Sequence, residues 1–263
     1  LQNPPTNDKP PEGYLIHKRY EFANESDRPP NAELMTMECW GVDNICRKDG
    51  GMYNPDGSVV PANDPRNWVE FNPDQVKWVN GTIALVTDLS KKPNGPGVVA
   101  GLIATIASYD PPVFVSARIR VAPHGGRYWT SFVSYSPKGW LPECDIAEME
   151  SSDSKAYTSS LHRMVDGKHE MIATTKYNFP VDLSDKFHIY AADIQVDKIV
   201  IYLDNVKIWE HSKKNLNDEP IYFLIGNAIF QGCDTTLINA EYKREIFPGK
   251  AYVDFLRIYK PEL

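Results

Sequence analysis

The 263-residue chain is short of several things, and each shortage excludes something. No apolar run approaches the roughly 18 residues that a membrane-spanning helix needs, so no helical span is expected. Only four cysteines occur, Cys39, Cys46, Cys144 and Cys233, without a C-x-x-C pair or a Cys/His spacing suited to structural zinc. Cys39 and Cys46 are near enough for a local disulfide in an oxidising compartment, or they are two free thiols; both readings stay open here. Positive charge is in deficit, with 28 Lys and Arg against 35 Asp and Glu, a net charge of −7. A duplex DNA binder displaces phosphate counterions with a basic excess, so no nucleic-acid partner is expected. Also missing are a sustained helical period of apolar residues and any internal repeat of about 20–50 residues.

What is present is an ordinary globular composition, 42% hydrophobic and 24% charged, which excludes wholesale disorder. The first dozen residues hold Pro4, Pro5, Pro10 and Pro11 and read as a stiff, poorly packing leader or linker (1–12). The remainder, 13–263, reads as one domain. The chain opens at Leu1 without methionine or signal pattern, and the expectation is a trimmed, secreted or surface-anchored protein. Strand and turn signals dominate. Val76–Thr87 is a hairpin around Asn80-Gly81, because both turn positions need positive φ. Val113, Val115, Ala117, Ile119 and Val121 alternate with Phe114, Ser116, Arg118 and Arg120, the period of a strand with one polar face. Asp204-Asn205 marks a second tight turn. Regular strands and turns predict an antiparallel sandwich or barrel. The exception, Ala23–Asp74, is rich in Pro, Asn, Asp and Gly and is expected to be a functional loop beside a groove.

The chemistry concentrates in Tyr128–Glu150, YWTSFVSYSPKGWLPECDIAEME. Glu143 and Asp145 lie two apart and share one face of a strand. Glu148 is five residues from Glu143, and a regular pleat turns it away; one β-bulge after Asp145 returns it to the same side. Crowded carboxyls raise one pKa and keep that acid protonated near neutral pH. Two carboxyls about 5–5.5 Å apart suit a retaining glycosidase, one as nucleophile and one as acid/base. Acidic residues are rare in strands, and the aromatics just ahead, Trp129 and Trp140 among them, are the usual platforms for sugar rings.

These residues resemble glycoside hydrolase family 16, in its members with a bulged E-x-D-x-x-E strand. The likeness runs from about Phe71 to Lys260 through FNPDQVKWVNGTIALVT, PPVFVSARIRV, FHIYAADIQVDKIVIYLDNVKIWE and YVDFLRIYK. It implies a β-jelly-roll of two curved antiparallel sheets with a concave substrate cleft. It makes Glu143 the nucleophile, Asp145 its partner and Glu148 the acid/base of a double displacement that needs no cofactor. The expected partner is a polysaccharide, the expected state a monomer. VFVSARIRV, YWTSFVSYS and Ser160-Leu161-His162 lean toward the agarase, porphyranase and carrageenase branch, hence toward internal β-1,4-galactosidic bonds of a red-algal galactan. The alternatives are an endo-β-1,3(4)-glucanase and a non-catalytic carbohydrate-binding jelly roll, which lacks any need for the acid pair.

Around this centre, His162 is either a subsite residue beside the nucleophile or a structural histidine of the sheet, and His188 is taken as structural. Arg118, Arg120, Arg127, Arg163 and Lys168 are candidate readers of sulfated or polar substituents, since guanidinium matches such anions. Asp254 corresponds to a position that ligates a structural calcium in relatives. Cys144, between two cleft-facing acids, is expected to point into the core as a small hydrophobe.

Overall fold

The computed structural model describes residues 3–37, 69–89, 98–123, 128–212, 214, 216–229 and 247–262. Cys39, Cys46 and Cys233, Arg127, residues 38–68 of the long irregular segment, and the side chain of Trp140 lie outside the described residues. The strands begin with four short or peripheral ones, β1 (Tyr14–Glu21), β2 (Leu34–Thr36), β3 (Val69–Phe71) and β4 (Val76–Val79). The body follows as β5 (Thr82–Leu89), β6 (Val98–Thr105), β7 (Val113–Arg120), β8 (Tyr128–Ser136), β9 (Gly139–Glu150), β10 (Ala156–Val165) and β11 (Lys168–Asn178). β12 (His188–Ile194), β13 (Lys198–Leu203), β14 (Val206–Ser212), β15 (Tyr222–Ile229) and β16 (Gly249–Pro261) complete the set. No helix among the described residues is long and apolar enough to cross a membrane.

Turn chemistry sets the hairpins. Asn80 and Gly81 take φ of 49° and 80° between β4 and β5, as the Asn-Gly signal requires. Asp166-Gly167, at 49° and 74°, and Asp204-Asn205, at 51° and 68°, do the same for β10–β11 and β13–β14. The strands form one continuous hydrogen-bonded path, β11-β10-β9-β8-β15-β6-β5-β16-β7-β12-β13-β14. It folds at the β5–β6 pairing, where Thr87 faces Ala100, into two sheets that lie against each other. Every pairing along this path is antiparallel; the small β3–β6 pairing beside it is parallel. The main core fills the space between sheets with Ile83 and Leu85 of β5, Val115 and Ile119 of β7, Phe132 of β8, Ile201 of β13 and Ile225 of β15, all essentially buried. This is the expected all-β sandwich. The close approach of the sheets shows at Gly249, where an added Cβ would lie 2.1 Å from the Tyr128 ring.

The period of two in β7 is real, and it carries Arg118 away from the cleft. Val113, Val115, Ala117 and Ile119 enter the core, so Arg118 and Arg120 point out from the sheet that does not contain β9. There Arg118 Nη1 donates to Asp254 Oδ2 at 2.6 Å, and Arg120 lies over the Tyr252 ring. Alternation told which residues share a face; it did not tell which sheet that face belongs to. Asp254, expected as a calcium ligand, thus has one carboxylate oxygen engaged by a guanidinium, and it belongs to no cluster of three or more acidic, histidine or cysteine side chains among the described residues. The leader also departs from expectation. Instead of standing off as a linker, it lies on this outer face, with Asp8 bonded to Arg257 at 2.7 Å and to Ser116, and with Asn205 accepting from the Lys9 amide at 2.8 Å. The Asp8 side chain is only 2% exposed, so this contact is a packed one.

Candidate active site

The site is built on β9, in the middle of the sheet β11-β10-β9-β8-β15-β6. Its neighbours record the bulge from both sides. On β8, Phe132 faces Ala147 while the next residue, Val133, faces Asp145, so Ile146 is the extra residue. On β10, Thr158 faces Glu148 and Ser160 faces Asp145, two residues against three. The insertion restores the parity that the E-x-D-x-x-E spacing lacks, and Glu143, Asp145 and Glu148 share the face turned away from the core. Cys144, Ile146, Ala147 and Met149 take the other face and are buried in the main core, Cys144 as a free thiol.

Register then decides what surrounds the acids. Trp129, Ser131, Val133 and Tyr135 of β8 alternate onto the same face, with Ser131 opposite Glu148. The Tyr135 hydroxyl donates to Glu143, and burial together with the Glu143 charge keeps that phenol protonated. The Trp129 indole N–H is directed at Glu148 and favours its charged form. From β10, Ser160 faces Asp145 and His162 faces Glu143. His162 Nε2 lies 3.0 Å from Asp145 Oδ2, and its Nδ1 lies 2.9 Å from His169 Nε2 on β11. Glu143, Asp145 and His162 each bring a ligand atom within 4.8 Å of the others; among the described residues they form the one group with metal-binding potential.

The electrostatics follow from crowding around a buried Asp145. Asp145 is 3% exposed, and burial first, then the Glu148 charge, push its pKa well above the carboxylate range. Its contacts to Glu143 and Glu148 are hydrogen bonds only when a proton sits between two carboxyls. Glu148 is pushed up to about 7 by burial and by Glu143, while Asp145 and Trp129 hold it from rising further. The three acids therefore carry fewer than three charges at neutral pH, and Glu148 is a carboxylic acid poised to give and take a proton in that range.

Of the residues expected at the site, Glu143, Asp145, Glu148, Trp129 and His162 come together. Arg163 does not. It follows His162, so it points to the other face, where it donates to the Leu216 carbonyl and to Asp218 Oδ1. His188 is the structural histidine expected, its Nδ1 2.7 Å from Asp204 Oδ2 in the core. Sequence reading gave Tyr135 no role beyond aromatic content and passed over Ser131 and His169. The first two were within reach of the alternation that starts at Trp129; His169 becomes visible only once the Asp166-Gly167 turn fixes the β10–β11 register.

The family model described as "Glycosyl hydrolases family 16" matches residues 70–245, more than half of the chain. No curated protein matches the chain by sequence. Among solved structures, an endo-β-1,3-glucanase from Pyrococcus furiosus is 20% identical with a TM-score of 0.70, over 94% of this chain and 95% of its own. The laminarinase catalytic domain from Thermotoga maritima is 17% identical with a TM-score of 0.71, over 95% and 99%. A Bacteroides ovatus family 16 protein, from a system for mixed-linkage glucan, is 17% identical with a TM-score of 0.67, over 92% and 100%. Identities this low speak of fold, and the fold they share is the sandwich described above.

The raised pKa of Glu148 has a stability consequence whose sign is definite. A carboxyl held at about 7 in the fold against 4.5 ordinarily stabilises the folded state fully below pH 4.5, and loses that contribution as pH climbs through 7. The loss amounts to about 3 kcal/mol. Glu148→Gln removes the penalty, so urea unfolding at pH 8 will show the variant more stable than the parent, with the gap closing at pH 4.5. Equal gaps at both pH values would contradict the assignment.

Proposed function

The chain belongs to glycosyl hydrolases family 16, and on that premise we propose that it is a retaining endo-glycosidase in which Glu143 attacks the anomeric carbon and Glu148 serves as acid and then base. The observation that carries this reading is the single-strand arrangement of the acids, with different surroundings for each. Glu143 receives a hydrogen bond from the Tyr135 hydroxyl, a setting that suits an anionic nucleophile. Glu148, near pH 7, is protonated often enough to release the leaving oxygen and deprotonated often enough to activate water afterwards. Asp145, between them and bonded to His162, orients Glu143 and takes up the change in charge as the covalent intermediate forms.

The substrate that the cleft supports is an uncharged β-linked polysaccharide, cut within the chain. Three of the five candidate readers of sulfate, Arg118, Arg120 and Arg163, are engaged away from the acids, which weakens the case for sulfate recognition. On the far side of the acids the described floor offers hydroxyls and imidazoles, Ser160 bonded to Thr174 at 3.1 Å and His162 bonded to His169. Trp129 stands beside Glu148 as a platform for a sugar ring. An unsulfated galactan backbone remains the first reading, on the strength of the YWTSFVSYS and Ser-Leu-His segments. A β-1,3- or mixed-linkage glucan is the second, favoured by the full-length likeness to the Pyrococcus and Bacteroides proteins.

Kinetics of two variants separate the roles. With a poor leaving group, Glu143→Gln will lower kcat by roughly 10^4–10^6 and Glu148→Gln by roughly 10^2–10^4. On an activated aryl glycoside Glu148→Gln will recover its first step and lose the alkaline limb near pH 7, whereas Glu143→Gln will recover nothing. A Glu148→Gln variant that keeps that limb would overturn the assignment. Gel filtration of digests of agarose, porphyran, carrageenan, laminarin and mixed-linkage glucan will show an early fall in polymer size on an unsulfated substrate. Release of short products from an intact polymer peak, or activity confined to sulfated chains, would contradict the substrate reading.

A further inference from the structure

His169 takes no part in the proton transfers of the hydrolysis proposed above, yet it is bonded to the one imidazole in the acid cluster. Its geometry is that of an outer-shell partner. A histidine that ligates a metal through one ring nitrogen normally holds the other against a hydrogen-bond partner, which fixes its tautomer and orientation. With His162 protonated at Nδ1, the proton donates to His169 Nε2 at 2.9 Å, and Nε2 is left as a lone-pair donor facing Asp145 and Glu143.

We propose that Glu143, Asp145 and His162 form a binding site for a divalent transition-metal cation of the zinc or copper class, and that occupancy blocks the catalytic end of the cleft. Three observations converge on it. The ligand atoms of the three side chains lie within 4.8 Å of one another. Bonds of about 2.0–2.2 Å place cis or tetrahedral ligands roughly 3–3.6 Å apart, so side-chain rotation alone has to close the ring. Asp145 Oδ1 is buried, and no amide, hydroxyl or imidazole donor reaches it; its only company is the neighbouring carboxyls. The imidazole is braced from behind by His169, which no purely acidic cluster provides.

The donor set also selects the ion. One imidazole nitrogen with two carboxylates suits zinc or copper. Calcium takes six to eight oxygens and magnesium a near-ideal octahedron rich in water, neither of which an imidazole favours. Binding displaces the hydrogen bond between His162 Nε2 and Asp145 Oδ2, and the Nε2 proton, where present, leaves to solvent as the tautomer changes. With the cation in place Glu143 has its carboxylate committed, and a sugar ring finds the floor of the site filled.

Calorimetric titration of the whole chain with zinc chloride tests this without reference to turnover, so failure here leaves the hydrolase reading untouched. The expected result is one saturable site per chain, a thermal midpoint that rises with the logarithm of zinc concentration, and no such rise with calcium or magnesium. His162→Gln will abolish the saturable site. His169→Phe leaves all three ligands in place and will weaken zinc by about 10–100-fold. Inhibition of polymer cleavage will track the calorimetric curve in the parent protein. Zinc binding of equal strength in both variants, or no saturable binding in the parent, would overturn the proposal.

Discussion

One inserted residue in β9 governs the molecule's chemistry. A strand offers only two faces, and the E-x-D-x-x-E spacing places its third acid on the wrong one. Had β9 kept a regular pleat, Glu148 would enter the main core on the side of Cys144 and Ile146, and Met149 would turn out to the cleft; burying a carboxylate without partners costs several kcal/mol. The extra residue, Ile146, removes that conflict and serves both sides. It is fully buried itself, together with Ala147, so the core loses nothing, while Glu148 moves to the cleft face. The flanking strands hold the bulge in place: β10 pairs regularly with Asp145, Cys144 and Glu143 beyond it, and β8 pairs with Asp145 and Cys144 before a second register shift toward Gly139.

Everything unusual about the site's electrostatics follows from that alignment. Three carboxyls crowded on one short face, Asp145 buried and Glu143 and Glu148 half-buried, do not all ionise at neutral pH. The surroundings divide the remaining charge: Tyr135 supports Glu143 and His162 supports Asp145, while burial keeps Glu148 near 7 despite the Trp129 indole. The arrangement destabilises the fold where pH is high enough to ionise Glu148, and that is the pH range in which an acid/base group of this kind is useful. Stability is sacrificed at one strand of a sandwich whose remaining core, from Leu85 to Ile258, is continuous and closely filled.

The parts of this structure that were legible in the sequence are those governed by local rules. Asn80-Gly81 and Asp204-Asn205 announced their turns because few other residues accept positive φ there. The bulge was legible because parity demands it if the three acids are to act together. Cys144 was placed correctly by the same parity. What local rules do not carry is the assignment of a polar face to a particular sheet: Arg118 and Arg120 alternate as expected and end on the far side of the molecule, bonded to Asp254 and stacked on Tyr252. Arg163 was misplaced by one residue's parity relative to His162. Tyr135 and His169 owe their importance to register across strands, which depends on where the neighbouring turns fall and on bulges such as that at Ile172. The proline-rich leader was misread because composition reports stiffness and not the contacts that Asp8 makes with Arg257 and Ser116.

The central proposal is that the bulge puts Glu143 and Glu148 on one cleft face to act as nucleophile and acid/base of a double displacement. Proton NMR of the reducing-end anomers in the first minutes of hydrolysis, before mutarotation, measures this most directly. The account predicts that the newly formed reducing end appears first as the β anomer, the configuration of the bond that was cut, and then relaxes toward the equilibrium mixture. First appearance of the α anomer would mean that water attacks directly, and would contradict it.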